Sequence, residues 1–174
     1  MQHVIFFFHH PFFSTIGGLS VLLMIFSFFY ITYLIIKGVF PVWYRLGIGL
    51  SKRKIAIFAD NKYDSLKDIL VDSKMFKEKN IIKINKDSIQ KAEKTTLLLV
   101  HWLDFKSEID EILKIKKDSD ALIIYAPREE GSIEQDDLAK INLKRNSIIV
   151  NFRGRLLNDI LTCMITTSYK YKKC

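Results

Sequence analysis

The run Asn151-Phe152-Arg153-Gly154-Arg155 sets two guanidiniums around a glycine, between an apolar stretch and an amphipathic one that begins near Leu156. A guanidinium presents its N–H donors in a fork that matches phosphate or carboxylate oxygens. The unpaired N–H groups at a helix start add partial positive charge. An anion such as a nucleotide phosphate suits that arrangement. Arg153 and Arg155 suit equally well plain surface positions, or ion pairs with Asp159 and with Glu129 and Glu130, and Asn158 and Asp159 could orient them. His101 and Trp102 form a second group at the end of an apolar run. An imidazole moves protons near neutral pH and an indole stacks on planar ligands, although both residue types serve more often as buried structural groups. Asp60, Asn61 and Lys62, then Asp104, then Pro127-Arg128-Glu129-Glu130-Gly131 complete the polar residues that follow apolar runs. The candidate ligand-binding set is therefore Asp60, Asn61, His101, Trp102, Arg128, Asn151, Arg153, Gly154 and Arg155.

Complete catalytic signatures are missing. No Gly-x-Gly-x-x-Gly follows Ala59, and no Gly-Lys-Ser/Thr phosphate loop or Gly-x-Ser-x-Gly elbow is present. A phosphoacceptor receiver would need clustered acids after the first strand and a lysine at the fifth. Here Asp60 and Asp104 are isolated, and Arg153 stands where the lysine would be. No His, Cys and carboxylate set has metal-ligand spacing. Neither a cofactor nor a metal is expected. Glu108 and Glu111 are the only weak catalytic candidates; their plain reading is a solvated helix face, with Asp110 and Glu111 in reach of Lys114.

The elements that must position these residues alternate regularly. Lys54–Ala59, Ile81–Ile84, Thr96–Trp102, Ala121–Ala126 and Ser147–Phe152 read as strands. Their continuous apolar runs are those of strands buried on both faces. Tyr63–Phe76, Asp87–Lys94, Ser107–Lys117, Ile133–Leu143 and Leu156–Tyr169 read as the intervening helices, with Asp87 or Ser88, and Ser107, as N-caps. Alternation of this kind predicts a doubly wound α/β domain around a five-stranded parallel sheet, Rossmann- or flavodoxin-like, in the order 2-1-3-4-5. The loops named above then lie at the carboxyl ends of the strands, where such sheets bind ligands.

The first part of the chain obeys a different solvent. Met1 to Ile36 contains no Asp, Glu, Lys or Arg, and Phe12 to Ile36 is a predominantly apolar run without a charge. About 20 apolar residues in a helix span a bilayer core. A cleaved signal peptide would carry its charge before the run and a small-x-small site after it, whereas here the first charge is Lys37. Lys37, Arg45, Lys52, Arg53 and Lys54 all follow the run, so the positive-inside rule puts the C-terminal side in the cytoplasm, with Trp43 and Tyr44 at the interface. The expected layout is a short outer segment over 1–11, a transmembrane helix over 12–36, an interfacial segment over 37–53 and a cytosolic domain over 54–174. Ser14 and Gly18 have small-xxx-small spacing, which allows close helix approach and a homo-oligomer. Ser20, Ser27, Tyr30 and Thr32 could line a pore or bond back to their own helix.

The chain carries a formal net charge of +8. Beside an acidic leaflet that excess favours the membrane surface; a nucleic-acid partner is not expected. Two cysteines, Cys163 and Cys174, make no disulfide framework and fit a reducing compartment. As a whole architecture, one membrane helix followed directly by a small Rossmann-like domain resembles the membrane-anchored effectors of prokaryotic anti-phage and CRISPR-linked systems, whose cytosolic parts are CARF-like or TIR-like. That resemblance implies a sensor, responsive to a nucleotide or a protein partner, that oligomerises and perturbs the inner membrane. The four loops, chiefly Arg153, Gly154 and Arg155, would carry the sensing. The TIR-like alternative implies an anchored NAD-degrading enzyme with Glu108 or Glu111 as its acid, and a third possibility is a scaffold that recruits a partner protein.

Overall fold

The computed structural model describes residues 11–167, with side-chain surroundings for 15–40, 47 and 53–167. Residues 1–10, the side chains of Trp43 and Tyr44, and Cys174 lie outside that description. The chain divides into two compact units, Met1–Tyr44 and Arg45–Cys174.

A single helix, α1 (Pro11–Lys52), runs past Ile36 through the stretch expected to be a separate interfacial segment. Pro11 suits its first position, where a missing N–H costs nothing. Within α1, Thr15–Phe40 is 26 residues long, has a mean hydropathy of 2.4 and buries none of its most apolar stretch. It is long and apolar enough to cross a membrane. Two of its hydroxyls are satisfied internally: Ser20 Oγ donates to the Ile16 carbonyl at 2.9 Å and Thr32 Oγ1 to the Phe28 carbonyl at 2.8 Å.

The second unit is the expected doubly wound α/β domain. Strands β1 (Ile55–Phe58), β2 (Ile81–Ile84), β3 (Leu97–His101), β4 (Ala121–Tyr125) and β5 (Ser147–Val150) form one sheet in the order β2-β1-β3-β4-β5. All four pairings are parallel, with Ile55 opposite both Ile81 and Leu97, and His101 opposite Tyr125. Side chains alternate between two cores. Ile55 and Ile57 join Leu97, Leu99 and Ile123 beneath helices α2 (Tyr63–Asp72) and α6 (Arg153–Thr166). Ala56 and Phe58 join Leu98, Val100 and Ile124 on the opposite face. That face is covered by a 3-10 segment (Lys86–Lys94), α3 (Trp102–Phe105), α4 (Ile109–Ile115) and α5 (Gln135–Asn142). β1, β3 and β4 are wholly buried, whereas β5, an edge, is half-buried except at Val150.

Several boundaries differ from the sequence reading. Asp87–Lys94 is 3-10 rather than α, kinked at Ser88. Its start is held by Asn85, whose N–H donates to Ser88 Oγ at 3.3 Å. Ser107 is no cap: it lies in a 3-10 turn, Lys106–Glu108, between α3 and α4. The α2 helix stops at Asp72, and Lys74 turns through a φ of 56° where Phe76 was expected to extend it. Most consequentially, α6 begins at Arg153 and not at Leu156, so the arginines are the first turn of a helix.

Two buried cations hold the base of the domain. Arg53 donates to Thr167 Oγ1 at 2.5 Å and to the Thr167 carbonyl, joining the residue after α1 to the end of α6. Lys116 Nζ donates to the Lys117 carbonyl at 3.2 Å and to that of Arg145, and burial lowers its pKa. Cys163, 2% exposed in the α2–α6 core, has its thiol pushed up to about 11, chiefly by burial. Since the thiolate is the nucleophile, in a Cys174→Ser background the folded chain is expected to resist iodoacetamide at pH 8 and to label fully in denaturant. Rapid labelling of the folded chain would contradict that burial.

Candidate functional site

The carboxyl ends of β1, β3 and β4 converge on His101. Its ring is buried, with 1% of the side chain exposed, because β3 carries it into the sheet beside Tyr125, at a ring separation of 6.0 Å. Nδ1 lies 2.9 Å from Asp104 Oδ2 and Nε2 lies 2.7 Å from Glu130 Oε2. These are close imidazole–carboxylate contacts without the alignment of hydrogen bonds. Glu130 continues to Lys62, 3.4 Å from its other oxygen. Asp104 Oδ2 also accepts the Asp60 backbone N–H at 2.9 Å. One imidazole, two carboxylates and a lysine therefore bind together the loops after β1, β3 and β4.

This network decides the chemistry available there. In an open parallel sheet of this order the ligand crevice is the switch point between β1 and β3. Here the chain's own Asp104 carboxylate takes the backbone N–H that a ligand anion would otherwise use. Both nitrogens of His101 face carboxylates, which leaves neither for a substrate proton. His101 is a structural clasp.

Open space lies to the β5 side instead, on both flanks of the 128–132 loop. The larger cleft, about 630 Å³, is lined by Ala126, Arg128, Ser132, Leu138, Ile149 and Asn151, with Gly131 and Ile133 completing the wall. The smaller, about 360 Å³, lies against Trp102, Leu103, Ser107 and Glu130. Gly131 and Ser132 border both. The φ of Gly131 is 106°, a conformation side chains rarely adopt, so the partition turns on a residue that must be glycine. Arg128 stacks over the Phe152 ring at 4.8 Å. Among the described residues no carboxylate oxygen lies within 4.0 Å of it.

The structure distributes the sequence candidates unevenly. Arg128 and Asn151 share the larger cleft. Trp102 is a core residue, 5% exposed, with one edge on the smaller cleft. Asp60 contributes its backbone and Asn61 is exposed. Arg153 turns to α2, donating to Ser65 Oγ at 2.5 Å and to the Ser65 carbonyl at 3.4 Å. Arg155 is 3.7 Å from Asp159. A Cβ on Gly154 would meet nothing within 4 Å, so no close approach demands that glycine. The two arginines, two positions apart in the first turn of α6, thus point to separate partners and form no cluster. Glu108 faces Lys86 at 3.6 Å, and Glu111 borders the Lys86–Lys91 segment; neither lines either cleft. Asp110 pairs with Lys140 of α5 at 3.0 Å instead of with Lys114. Among the described residues no group of three acids, histidines or cysteines is placed to hold a metal.

Ser132, Ile133, Leu138 and Ile149 escaped the sequence reading as site residues, and Glu130 was read there only as an acid of the 127–131 loop. Only Gly131, a turn glycine after two acids, hinted at a built loop. Comparison with family models, with curated proteins and with solved structures finds no match for this chain.

Proposed function

We propose that the chain is a single-pass signalling effector of the inner membrane, of the antiviral-defence kind. The α1 helix spans the bilayer with its N-terminus outside. The cytosolic α/β domain reads a small anionic ligand at the carboxyl edge of its sheet, and the chains then oligomerise and disrupt the membrane. The observation that carries this reading is the direct joining of a 26-residue apolar span to a parallel-sheet domain whose first strand begins three residues after the helix ends. The course of α6 supports it further. Its first residue, Arg153, is at the ligand edge, and Thr167 at its far end holds Arg53. A helix of 14 residues is about 21 Å of rigid path. Displacement at the edge would thereby reach the residue that follows α1.

Cells induced to express the full chain are expected to lose membrane potential and admit an impermeant dye. An intact membrane, with and without phage challenge, would reduce α1 to an anchor and sink the effector reading. Glu108→Gln and Glu111→Gln are expected to leave the depolarisation unchanged. If either abolished it together with a fall in cellular NAD, the anchored-enzyme reading would take its place.

A further inference from the structure

We infer that the 630 Å³ cleft between the 128–132 loop, α5 and β5 is a binding site for a nucleoside monophosphate, with Arg128 receiving the phosphate and the apolar floor receiving the base. This rests on the reading that a small anionic ligand is sensed at this edge, and it assigns the place and the class.

The volume falls within the roughly 300–1,000 Å³ of small-molecule sites, which are apolar hollows with a few convergent polar groups. The floor is Ala126 and Ile149, and the walls are Ile133 and Leu138. Ile149 is only half-buried, although it stands in the same sheet as three wholly buried strands. It lies on the edge strand, and α5 begins only at Gln135. Apolar surface is thereby left uncovered beside the core.

The polar groups are unevenly placed. Asn151 and Ser132 offer hydrogen bonds at the margin, and Arg128 is the one charged side chain of the lining. An arginine beside Glu129 and Glu130 would ordinarily pair with one of them. Glu130 is committed to His101 and Lys62, and among the described residues no carboxylate oxygen lies within 4.0 Å of Arg128. Its guanidinium instead lies over the half-exposed Phe152 ring, and no hydrogen bond to a described residue takes up its donors. Stacking of this kind holds a cation in place without neutralising it. A cation with no counter-ion among the described residues, lining an otherwise uncharged and largely apolar cleft, is complementary to a ligand with one anionic end and one planar end. Arg153 and Arg155 do not line the slot and are not needed for it.

The test is calorimetric titration of the purified full chain in lipid nanodiscs with AMP, GMP, adenosine and inorganic phosphate. A nucleoside monophosphate is expected to saturate a single site, with adenosine and phosphate each at least about tenfold weaker. Arg128→Ala, at an exposed position, is expected to weaken it about tenfold or more, as loss of a charge-assisted hydrogen bond does. Leu138→Trp, which fills the slot, is expected to abolish it with unchanged circular dichroism, and Arg153→Ala/Arg155→Ala to leave it unaltered. Loss confined to the double arginine variant would move the site to α6 and overturn the assignment, as would silence of all four probes up to millimolar concentration. Binding is read apart from depolarisation. Nucleotide binding with intact membranes sinks the effector reading alone, and depolarisation without nucleotide binding sinks this one alone.

Discussion

Replacing His101 by alanine is expected to destabilise the α/β domain by about 3 kcal/mol, the scale of truncating a fully buried ring to a methyl group. The ring stands between Asp104 and Glu130, whose side chains are 11% and 19% exposed, and it is the only described group that touches both. Its removal leaves a cavity beneath two carboxylates and frees the 128–132 loop from the end of β3. A loss of that size in a domain of this length lowers the melting temperature by about 10 °C. The loss should be strongly non-additive with Glu130→Gln, because both variants break the same contact. Thermal denaturation of the four chains of the cycle, followed by circular dichroism, checks this. If His101→Ala melts with the wild type, the clasp is an exposed pair of little worth and the ring is free for another role.

The clasp also shows where the sequence stops being readable. The strands were legible because a strand buried on both faces must be apolar at every position: Lys54–Ala59 and Thr96–Trp102 announce themselves, and strand order then follows from connection rules. The helix ends were less legible. Arg153 and Gly154 are poor choices for a first turn, being a cation near the positive end of the helix dipole and a flexible residue. Yet the chain turns helical at Arg153 because Leu156 and Ile160 must reach the core beneath β4 and β5. Once those positions are helical, Arg153 projects towards Ser65 and Arg155 towards Asp159, and the apparent anion loop dissolves. Tertiary packing overrode local preference. The His101 contacts were illegible for another reason. Glu130 reaches the ring only because β3 and β4 are neighbours in register, with His101 opposite Tyr125. Nothing in the spacing of His101, Asp104 and Glu130 along the chain announces that meeting. Glu130 was read merely as one of two loop acids available to the arginines.

Two lysines in the middle of α1 are expected to remove the chain from the membrane. Ile25 and Phe29 lie one helical turn apart near the centre of Thr15–Phe40, and both are exposed along that helix. At the centre of a spanning helix an Ile or Phe favours insertion by about 0.5 kcal/mol and a Lys opposes it by about 3 kcal/mol. Ile25→Lys with Phe29→Lys therefore shifts insertion by roughly 7 kcal/mol, enough to reverse the preference of a marginal span and to weaken a strong one severely. The wild-type chain should stay in the membrane pellet after carbonate washing and the double variant should pass to the supernatant, losing any depolarisation with it. The α/β unit, which begins at Arg45, should keep its own melting temperature, because the two substitutions fall in the other unit. That separation gives the experiment its force. A variant that leaves the membrane with its domain intact ties depolarisation to insertion of α1. A variant that stays in the pellet and still depolarises cells would mean that the most apolar part of α1 is not what crosses the bilayer, and the effector reading would lose the observation on which it stands.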